Sequence, residues 1–289
     1  MTLFANVIFY ILLFVVLYIQ VFLLITFIES KNDKKILQKD PKKKKYPSVT
    51  IIVPCFNEEK SLAKTIFSLL KLKYPKDKLS IFIVDDGSAD GTLSIANKFA
   101  RKDKRIKVFH KENGGKHTAL NLGLEHVEAD LVCTIDADTF LTPSALINAV
   151  SCFRRDKKTA AVGGNVLIGN PRTIAQSAQS IEYQMFSFVK KILGFLGGVL
   201  VVPGAFSVYC TATLREVGGY KNGHNLEDLE LTYRLQTQGH KVCQSHQAIA
   251  YTTGPSNIKG LFKQRLRWGY GFLNNTIDYR NAILNKRFG

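Results

Sequence analysis

Leu131-Val132-Cys133-Thr134-Ile135-Asp136-Ala137-Asp138 decides how the chain is read. Five mostly apolar, partly β-branched residues have the composition of a buried strand, and two carboxylates one residue apart bring charge to its exposed end. Residues at i and i+2 project to the same side of an extended chain. Asp136 and Asp138 are therefore placed to converge on one hard cation that in turn holds an anionic ligand. The alternative is an Asp-rich turn into a helix over 143–153, with Thr142 as N-cap and Pro143 in the first position.

Working outward, Val49-Thr50-Ile51-Ile52-Val53-Pro54 reads as the first strand of a folded domain, followed by strands at 79–84, 106–109 and 131–135. Helices fill the intervals. The first is capped by Asn57-Glu58-Glu59 and has the apolar face Leu62, Ile66, Leu69 and Leu70; others run to about Ala100 and over 117–127. Such alternation predicts a parallel sheet covered on both faces, with ligands bound outside the carboxyl ends of the strands. Pro54-Cys55-Phe56-Asn57-Glu58, Asp85-Asp86 and Asp136-Ala137-Asp138 all fall at such ends. Turn chemistry explains any one of these, and explains all three on one edge poorly. Asn113-Gly114-Gly115-Lys116-His117-Thr118 lacks the G-x-x-x-x-G-K-[ST] spacing, since 110 and 117 are both His. A nucleoside triphosphatase loop is not expected. A looser use is, with Lys116 and the first amides of the following helix facing a diphosphate.

The second half is less regular. A strand is read at 160–165 and a helix at 173–188. The apolar stretch 192–208 is broken by Gly194, Gly197, Gly198, Pro203 and Gly204, which argues for buried strand and loop and against a membrane span. Leu226-Glu227-Asp228-Leu229-Glu230-Leu231 opens a helix with Leu231 and Leu235 on its inner side. Its acids serve either as dipole partners or, for one of them, as a base aimed into the cleft. Gln264-Arg265-Leu266-Arg267-Trp268, taken alone, reads as a basic amphipathic helix end lying on a membrane.

Length and composition fit one large α/β domain, since 289 residues at 46% hydrophobic content support a sizeable core. Five scattered cysteines with no C-x-x-C pair indicate neither a disulfide framework nor a zinc site, and fit reduced thiols on a cytosolic face. Residues 3–28 carry no charge, and as a helix would reach about 39 Å against a hydrocarbon core of about 30 Å. Basic residues come after this run instead of preceding it, and no small-x-small cleavage site is present, which argues against a signal peptide. The expectation is a transmembrane helix at 3–28 and a basic cytoplasmic linker at 29–46. Within that linker, 31–45 carries eight lysines against Asp33 and Asp40. These lysines place the rest of the chain on the cytoplasmic side and suit anionic lipid headgroups. The net charge of +17 is not read as a nucleic-acid footprint, because no recognition helix or aromatic-interleaved basic sheet accompanies it.

In this order the pieces resemble the membrane-bound glycosyltransferases of family 2, especially processive synthases of the cellulose, chitin, hyaluronan and poly-N-acetylglucosamine type. The residues that carry the resemblance are Pro54-Cys55-Phe56-Asn57-Glu58, Val84-Asp85-Asp86-Gly87-Ser88, Asn113-Gly114-Gly115-Lys116 with Ala119-Leu120-Asn121, Asp136-Ala137-Asp138, Glu227-Asp228 and Gln264-x-x-Arg267-Trp268. The resemblance covers roughly 47–272 and leaves 273–289 as an interfacial or truncated end. It implies an α/β, GT-A-like domain with a mostly parallel mixed sheet behind one N-terminal transmembrane helix, and an inverting transfer from a UDP-sugar to the growing end of a β-linked glycan.

By the same resemblance, Pro54, Phe56, Asn57, Glu58 and Asp85 or Asp86 hold the uridine, Lys116 lies near the nucleotide and Asp136 contacts it. Asp138 binds Mg²⁺ or Mn²⁺, Asp228 beside Glu227 is the base, and Gln264, Arg267 and Trp268 hold the diphosphate and meet the acceptor sugar. The carboxylates of Asp138 and Asp228 are expected on one cleft, within roughly 10 Å. Two departures stand out. Leu226 occupies a position where Thr is common in the group, and the chain stops 21 residues after Trp268 where the processive synthases continue into channel-forming membrane helices. A fragment, a channel subunit from another chain, or a short retained product are the resulting expectations. Transfer to a membrane lipid, and a non-catalytic nucleotide-binding membrane subunit, are the competing readings.

Overall fold

The computed structural model describes residues 2–32, 46–156, 158–195, 198–282 and 285. Most of the basic linker, 33–45, lies outside the described residues. Among the described residues one eight-stranded sheet organises the molecule: β1 (Val49–Cys55), β2 (Leu79–Asp86), β3 (Ile106–Lys111), β4 (Leu131–Ile135), β5 (Phe140–Leu141), β6 (Thr159–Ile168), β7 (Phe206–Cys210) and β8 (Lys241–Thr252), in the spatial order β3-β2-β1-β4-β7-β6-β8-β5. Strands β1 to β4 are parallel, β6 and β8 are parallel, β7 runs against both β4 and β6, and β5 runs against β8. The alternation of elements predicted the parallel strands, and the mostly parallel mixed sheet is the one that the family resemblance implied.

Every residue of β1 is buried, as expected of a strand covered on both faces. One face (Ile51, Val53, Ile81, Ile83) packs on Leu62, Ile66 and Leu69 of α2 (Leu62–Leu70), Ala96 of α3 (Thr92–Ala100) and Leu146 of α5 (Ala145–Arg155). The other (Ile52, Phe82, Val84) packs on Leu120 and Leu124 of α4 (Lys116–Glu125) and on Leu231 and Leu235 of α8 (Glu227–Thr237). A fully buried side chain of this kind contributes roughly 1.5–3 kcal/mol. The remaining helices are α1 (Thr2–Asn32), α6 (Ile174–Phe195), α7 (Thr211–Glu216) and α9 (Ile258–Asp278).

Several boundaries differ from the sequence reading, each for a local reason. The first domain helix starts at Leu62 behind N-cap Ser61, not at Asn57. Asn57 is left-handed (φ 56°), and the amides of Asn57, Glu58 and Glu59 donate to Ser88 Oγ, Thr92 Oγ1 and Asp90 Oδ2 of the neighbouring loop. α5 starts behind Ser144 because both the amide and the hydroxyl of Thr142 donate to the Ile249 carbonyl of β8. α6 continues to Phe195, with Ile192 wholly buried, so the first part of the apolar stretch is helix and the strand begins only at Phe206. Gln264 to Trp268 lie in the middle of α9 and not at a helix end, and that helix crosses 272 without a break.

Two irregularities shape the edge where the acids stand. Between β6 and β8 the register passes from Gly164↔Ser245 to Asn165↔Ile249, so 246–248 bulge from β8; bulges of this kind bend a strand and re-aim its next residues. Beyond the bulge, β8 pairs with β5, which comes directly after Asp138. Secondly, Gly223, His224 and Asn225 are consecutively left-handed, with φ of 55°, 54° and 65°. For the two non-glycine residues that conformation costs on the order of 1–3 kcal/mol each.

Among the described residues one helix, Leu3–Thr26, is long and apolar enough to cross a membrane, with mean hydropathy 2.9. α1 contacts α6. Exposed apolar side chains also line α6 (Ile181, Met185, Phe188) and α9 (Phe262, Leu266, Leu273, Ile277) at helical spacing.

Candidate active site

The floor of the site is built at the ends of β1 and β2. Asp86 is almost wholly buried, and its carboxylate accepts from the amides of Gly114 (3.1 Å) and Gly115 (2.8 Å) and from Lys111 Nζ (2.8 Å). The glycine pair before Lys116 thus has its amides engaged by Asp86. Its small size has a steric reason: a Cβ on Gly114 would lie 2.8 Å from Thr118 Oγ1 and 2.9 Å from Lys111 Nζ. Asp85 is wholly buried, with Oδ2 at 2.7 Å from His110 Nδ1, while Oδ1 has no partner. Beside them, Asn57 Oδ1 accepts from the Ala89 amide and Glu58 from the Ser61 hydroxyl, Pro54 is buried, and the Phe56 ring is half exposed. Asp86 and Asn57 therefore hold the two loops together, and Asp85 keeps an acceptor to spare.

Lys116 is the centre of the site. Its ammonium lies 2.6 Å from Asp136 Oδ1 at the end of β4 and 2.8 Å from Glu227 Oε1 at the start of α8. Asp228 closes the group from the other side: Oδ2 accepts from the Gly204 amide at 2.7 Å and Oδ1 from the Leu229 amide at 2.8 Å. A Cβ on Gly204 would lie 3.1 Å from both Asp228 Oδ2 and Lys116 Nζ, so this glycine lets a backbone donor approach where no side chain fits.

Burial and charge divide the titrations. Burial disfavours the Lys116 ammonium, but Asp136, Glu227 and Asp228 outweigh it and hold its pKa well above the ordinary lysine value. Burial is the largest influence on Glu227 and would raise it, but the charge and hydrogen bond of Lys116, its own amide and the Arg267 charge together keep that carboxyl below its usual value. Asp228 is raised by burial and by Glu227, against Lys116 and the two amides. Asp138 is pushed up to about 6 by burial and by Asp136 and Glu58, against hydrogen bonds from Thr252 and Thr139. Two acids whose environments push their pKa values apart form the pattern expected of acid–base chemistry.

α6 and α9 cover the cleft. Tyr183 of α6 feels the charges of Asp138 and Asp136, and burial pushes its hydroxyl up to about 12. Lys190, two turns further on, feels Asp228, and burial lowers its pKa. Glu182 of α6 is ion-paired with Arg265 of α9, whose guanidinium lies 4.4 Å from the Trp268 ring centroid. Gln264 Oε1 is buried without a partner, and Arg267 is exposed on the side that acts on Glu227. Tyr183 and Lys190 escaped the sequence reading, and Gly204 was read only as a break in an apolar stretch, not as a donor to Asp228. The spacing of seven between Tyr183 and Lys190, opposite the apolar positions Ile181, Met185 and Phe188, was the available signal.

A mostly parallel sheet with acids gathered at its carboxyl edge, with β7 antiparallel within it and β5 antiparallel at its rim, has the form of the nucleotide-sugar-binding α/β class known as GT-A. Solved structures of similar fold agree. A mannosyltransferase from Pyrobaculum calidifontis, solved with GDP-Man and Mn²⁺, matches with a TM-score of 0.70 at 21% identity over 89% of this chain and 72% of that one. Staphylococcus aureus TarS 1–349, solved with UDP-GlcNAc, matches with a TM-score of 0.56 at 23% identity over 74% and 60%. Residues 47–271 match the family described as Glycosyltransferase like family 2, and the chain belongs to it.

Among curated proteins it is similar to poly-beta-1,6-N-acetyl-D-glucosamine synthase of Staphylococcus aureus (strain COL), 31% identical over 242 residues, covering 83% of this chain and 58% of that protein. The Staphylococcus epidermidis synthase of the same name is 28% identical over 246 residues, covering 85% and 59%. The chain thus spans somewhat more than half the length of these relatives.

Proposed function

We propose that the chain transfers a sugar, with inversion, from a UDP-sugar to the growing end of a β-linked polysaccharide. The observation that carries this reading is Lys116 joining Asp136 to Glu227 with Asp228 beside them: acids from distant parts of the chain meet at the carboxyl edge of the sheet. The synthases it is similar to make a β-linked N-acetylglucosamine polymer by name, which makes UDP-N-acetylglucosamine the first donor to try.

In this mechanism Asp228 accepts the proton of the acceptor hydroxyl as that oxygen bonds to the anomeric carbon, and the bond to UDP breaks with its electron pair leaving on the diphosphate. A hydroxyl is a poor nucleophile at neutral pH, and a buried carboxylate with a raised pKa meets that need. One displacement turns an α-linked donor into a β-linkage. Glu227, kept ionised by Lys116, stays an acceptor and supplies the charge that makes Asp228 more basic. Pro54, Phe56, Asn57, Glu58 and Asp85 line the uridine side, with Asp86 holding their loops and Lys116 and Asp136 next to the nucleotide. Gln264 and Arg267 meet the diphosphate, where a guanidinium stabilises departing negative charge. Trp268 offers the flat face on which a pyranose ring packs.

Among the described residues no three His, Cys, Asp or Glu side chains converge as a metal cage. The donor set still suits Mg²⁺ or Mn²⁺, which bind through one or two carboxylates completed by substrate phosphates and water. Asp138 is the fitting ligand, because burial together with the Asp136 and Glu58 charges leaves its carboxylate short of a cation. When bound there, the ion neutralises charge on the leaving diphosphate. In the membrane, α1 is the anchor, the lysine run sets the catalytic domain on the cytoplasmic side, and the apolar stripes of α6 and α9 rest on lipid.

The test is UDP release from a panel of UDP-sugars with Mn²⁺ present, followed by sizing of the product. Asp228→Asn is expected to lower turnover by at least about a hundredfold while UDP still binds. A ladder of products supports polysaccharide synthesis, and a single addition to lipid supports the rival acceptor. No release from any donor would leave a nucleotide-binding membrane subunit.

A further inference from the structure

The helix that carries Gln264, Arg267 and Trp268 runs on to Asp278, and its far half lies against the loop that precedes Glu227 and Asp228. That loop is the left-handed run Gly223–Asn225. Gly271 permits the approach, since a Cβ there would lie 2.6 Å from Leu226 Cγ and 3.0 Å from the His224 carbonyl oxygen. Asn275 is wholly buried, and its Nδ2 donates to the carbonyls of Gly223 (2.7 Å) and Gly271 (2.8 Å). On either side, His224 Nε2 meets Asp278 Oδ2 at 2.9 Å and the Tyr279 hydroxyl donates to Glu230 Oε1 at 2.7 Å. Glu230 is in turn ion-paired at 2.8 Å with the buried Arg234, so the contact reaches into α8.

Left-handed non-glycine residues persist only where their surroundings impose them. Local support exists, because Asn222 Oδ1 accepts from the Asn225 amide at 2.9 Å. The backbone carbonyl of Gly223 accepts from the Leu226 amide at 2.9 Å as well, but its side-chain donor is Asn275 at 2.7 Å, and the bare surface at Gly271 leaves room for Leu226. Both come from α9. We propose that Gly271 and Asn275 are positioning residues for Asp228: they fix the turn from which the acid pair is projected, so that the helix facing the diphosphate also aims the base. The role given to Asp228 rests on the sugar-transfer reading, whereas the contact itself does not.

The experiment uses the full chain in detergent micelles and pairs turnover with amide hydrogen exchange. Asn275→Leu keeps the bulk and removes both donated bonds. It is expected to lower kcat for UDP release at least about tenfold, with the donor KM unchanged within about twofold. Exchange over 226–229 should quicken at least about tenfold while β1 to β4 are unaffected. Asn275→Ser, which keeps a donor, should recover part of kcat, and Asn274→Ala, whose side-chain bond stays within α9, should behave as the parent chain.

Unchanged exchange over 226–229 in Asn275→Leu overturns the inference, as does faster exchange with an unaltered kcat. Should that variant not fold, Gly271→Ala, whose Cβ would lie 2.6 Å from Leu226 Cγ and so displace it, gives the same two readouts with the same meaning. Absence of UDP release from the parent chain sinks the sugar-transfer reading instead, and the exchange data still decide whether α9 holds the loop.

Discussion

In the proposed mechanism Lys116 sets the charge balance of the site, because one ammonium serves two carboxylates that belong to different elements. Its charge opposes the rise in Asp228 that burial and Glu227 produce. This fixes the direction of a pH effect. With Asp228 as the proposed base, which must be deprotonated to act, turnover is expected to fall as pH drops through its pKa, with the acid limb above the ordinary aspartate value. Glu227→Gln removes the neighbouring negative charge and is expected to move the limb to lower pH. Lys116→Met removes the opposing positive charge and is expected to move it to higher pH, with a lower plateau. Profiles of kcat against pH for the three proteins check both signs; limbs that coincide would detach Glu227 and Lys116 from the base. The acids themselves were legible in the sequence, because a strand ending in charge needs a reason. Their counter-ion was legible only as a residue near a nucleotide, since Lys116 lies in sequence far from Glu227 and nothing local to it specifies that partner.

The bulge in β8 shows what elements add beyond residues. His246 lies within it, its carbonyl accepts from Asn165 Nδ2 at 3.3 Å, and the next carbonyl, of Gln247, accepts from Asn148 Nδ2 at 2.7 Å. Burial first, then Lys191 and Lys190, lower the His246 pKa to about 4. The folded protein therefore favours neutral imidazole, and stability is fully present above the unfolded value of about 6.5. Between about 6.5 and 4 the unfolded chain binds the extra proton, so stability declines as pH falls through that window. Thermal melts at pH 7.5 and 5 should show a drop in Tm that His246→Gln reduces; an equal drop in both proteins would place the effect elsewhere. Neither this strand nor its bulge was read from the sequence, because three extra residues break the period-two alternation that marks a strand. Helix starts were misplaced for a related reason: Asn57 and Thr142 are good cap residues that here bond to neighbouring loops and strands instead.

For the whole molecule, the order of strands and helices was readable because alternation at short spacing leaves few topologies for a parallel sheet. The cover over the cleft was not. The polar face of α6 turned toward Asp136, Asp138 and Asp228, with an apolar face left outward, becomes meaningful only once the helix is seen lying between the sheet edge and α1. The same view clarifies α9, whose central motif read from sequence as a membrane-surface segment: one side does carry exposed apolar residues, while the other touches the loop before Asp228. The internal ammonium has a further effect at this scale. Because Lys116 already neutralises Asp136 and Glu227, the fold is not expected to depend on a metal, and the divalent ion of the proposed mechanism is expected to act as a removable reagent. Treatment with a chelator should stop turnover yet leave Tm where it was, and restoring Mn²⁺ should bring the rate back without any refolding delay. A Tm that fell on chelation would mean the ion fastens the protein together as well as working in it.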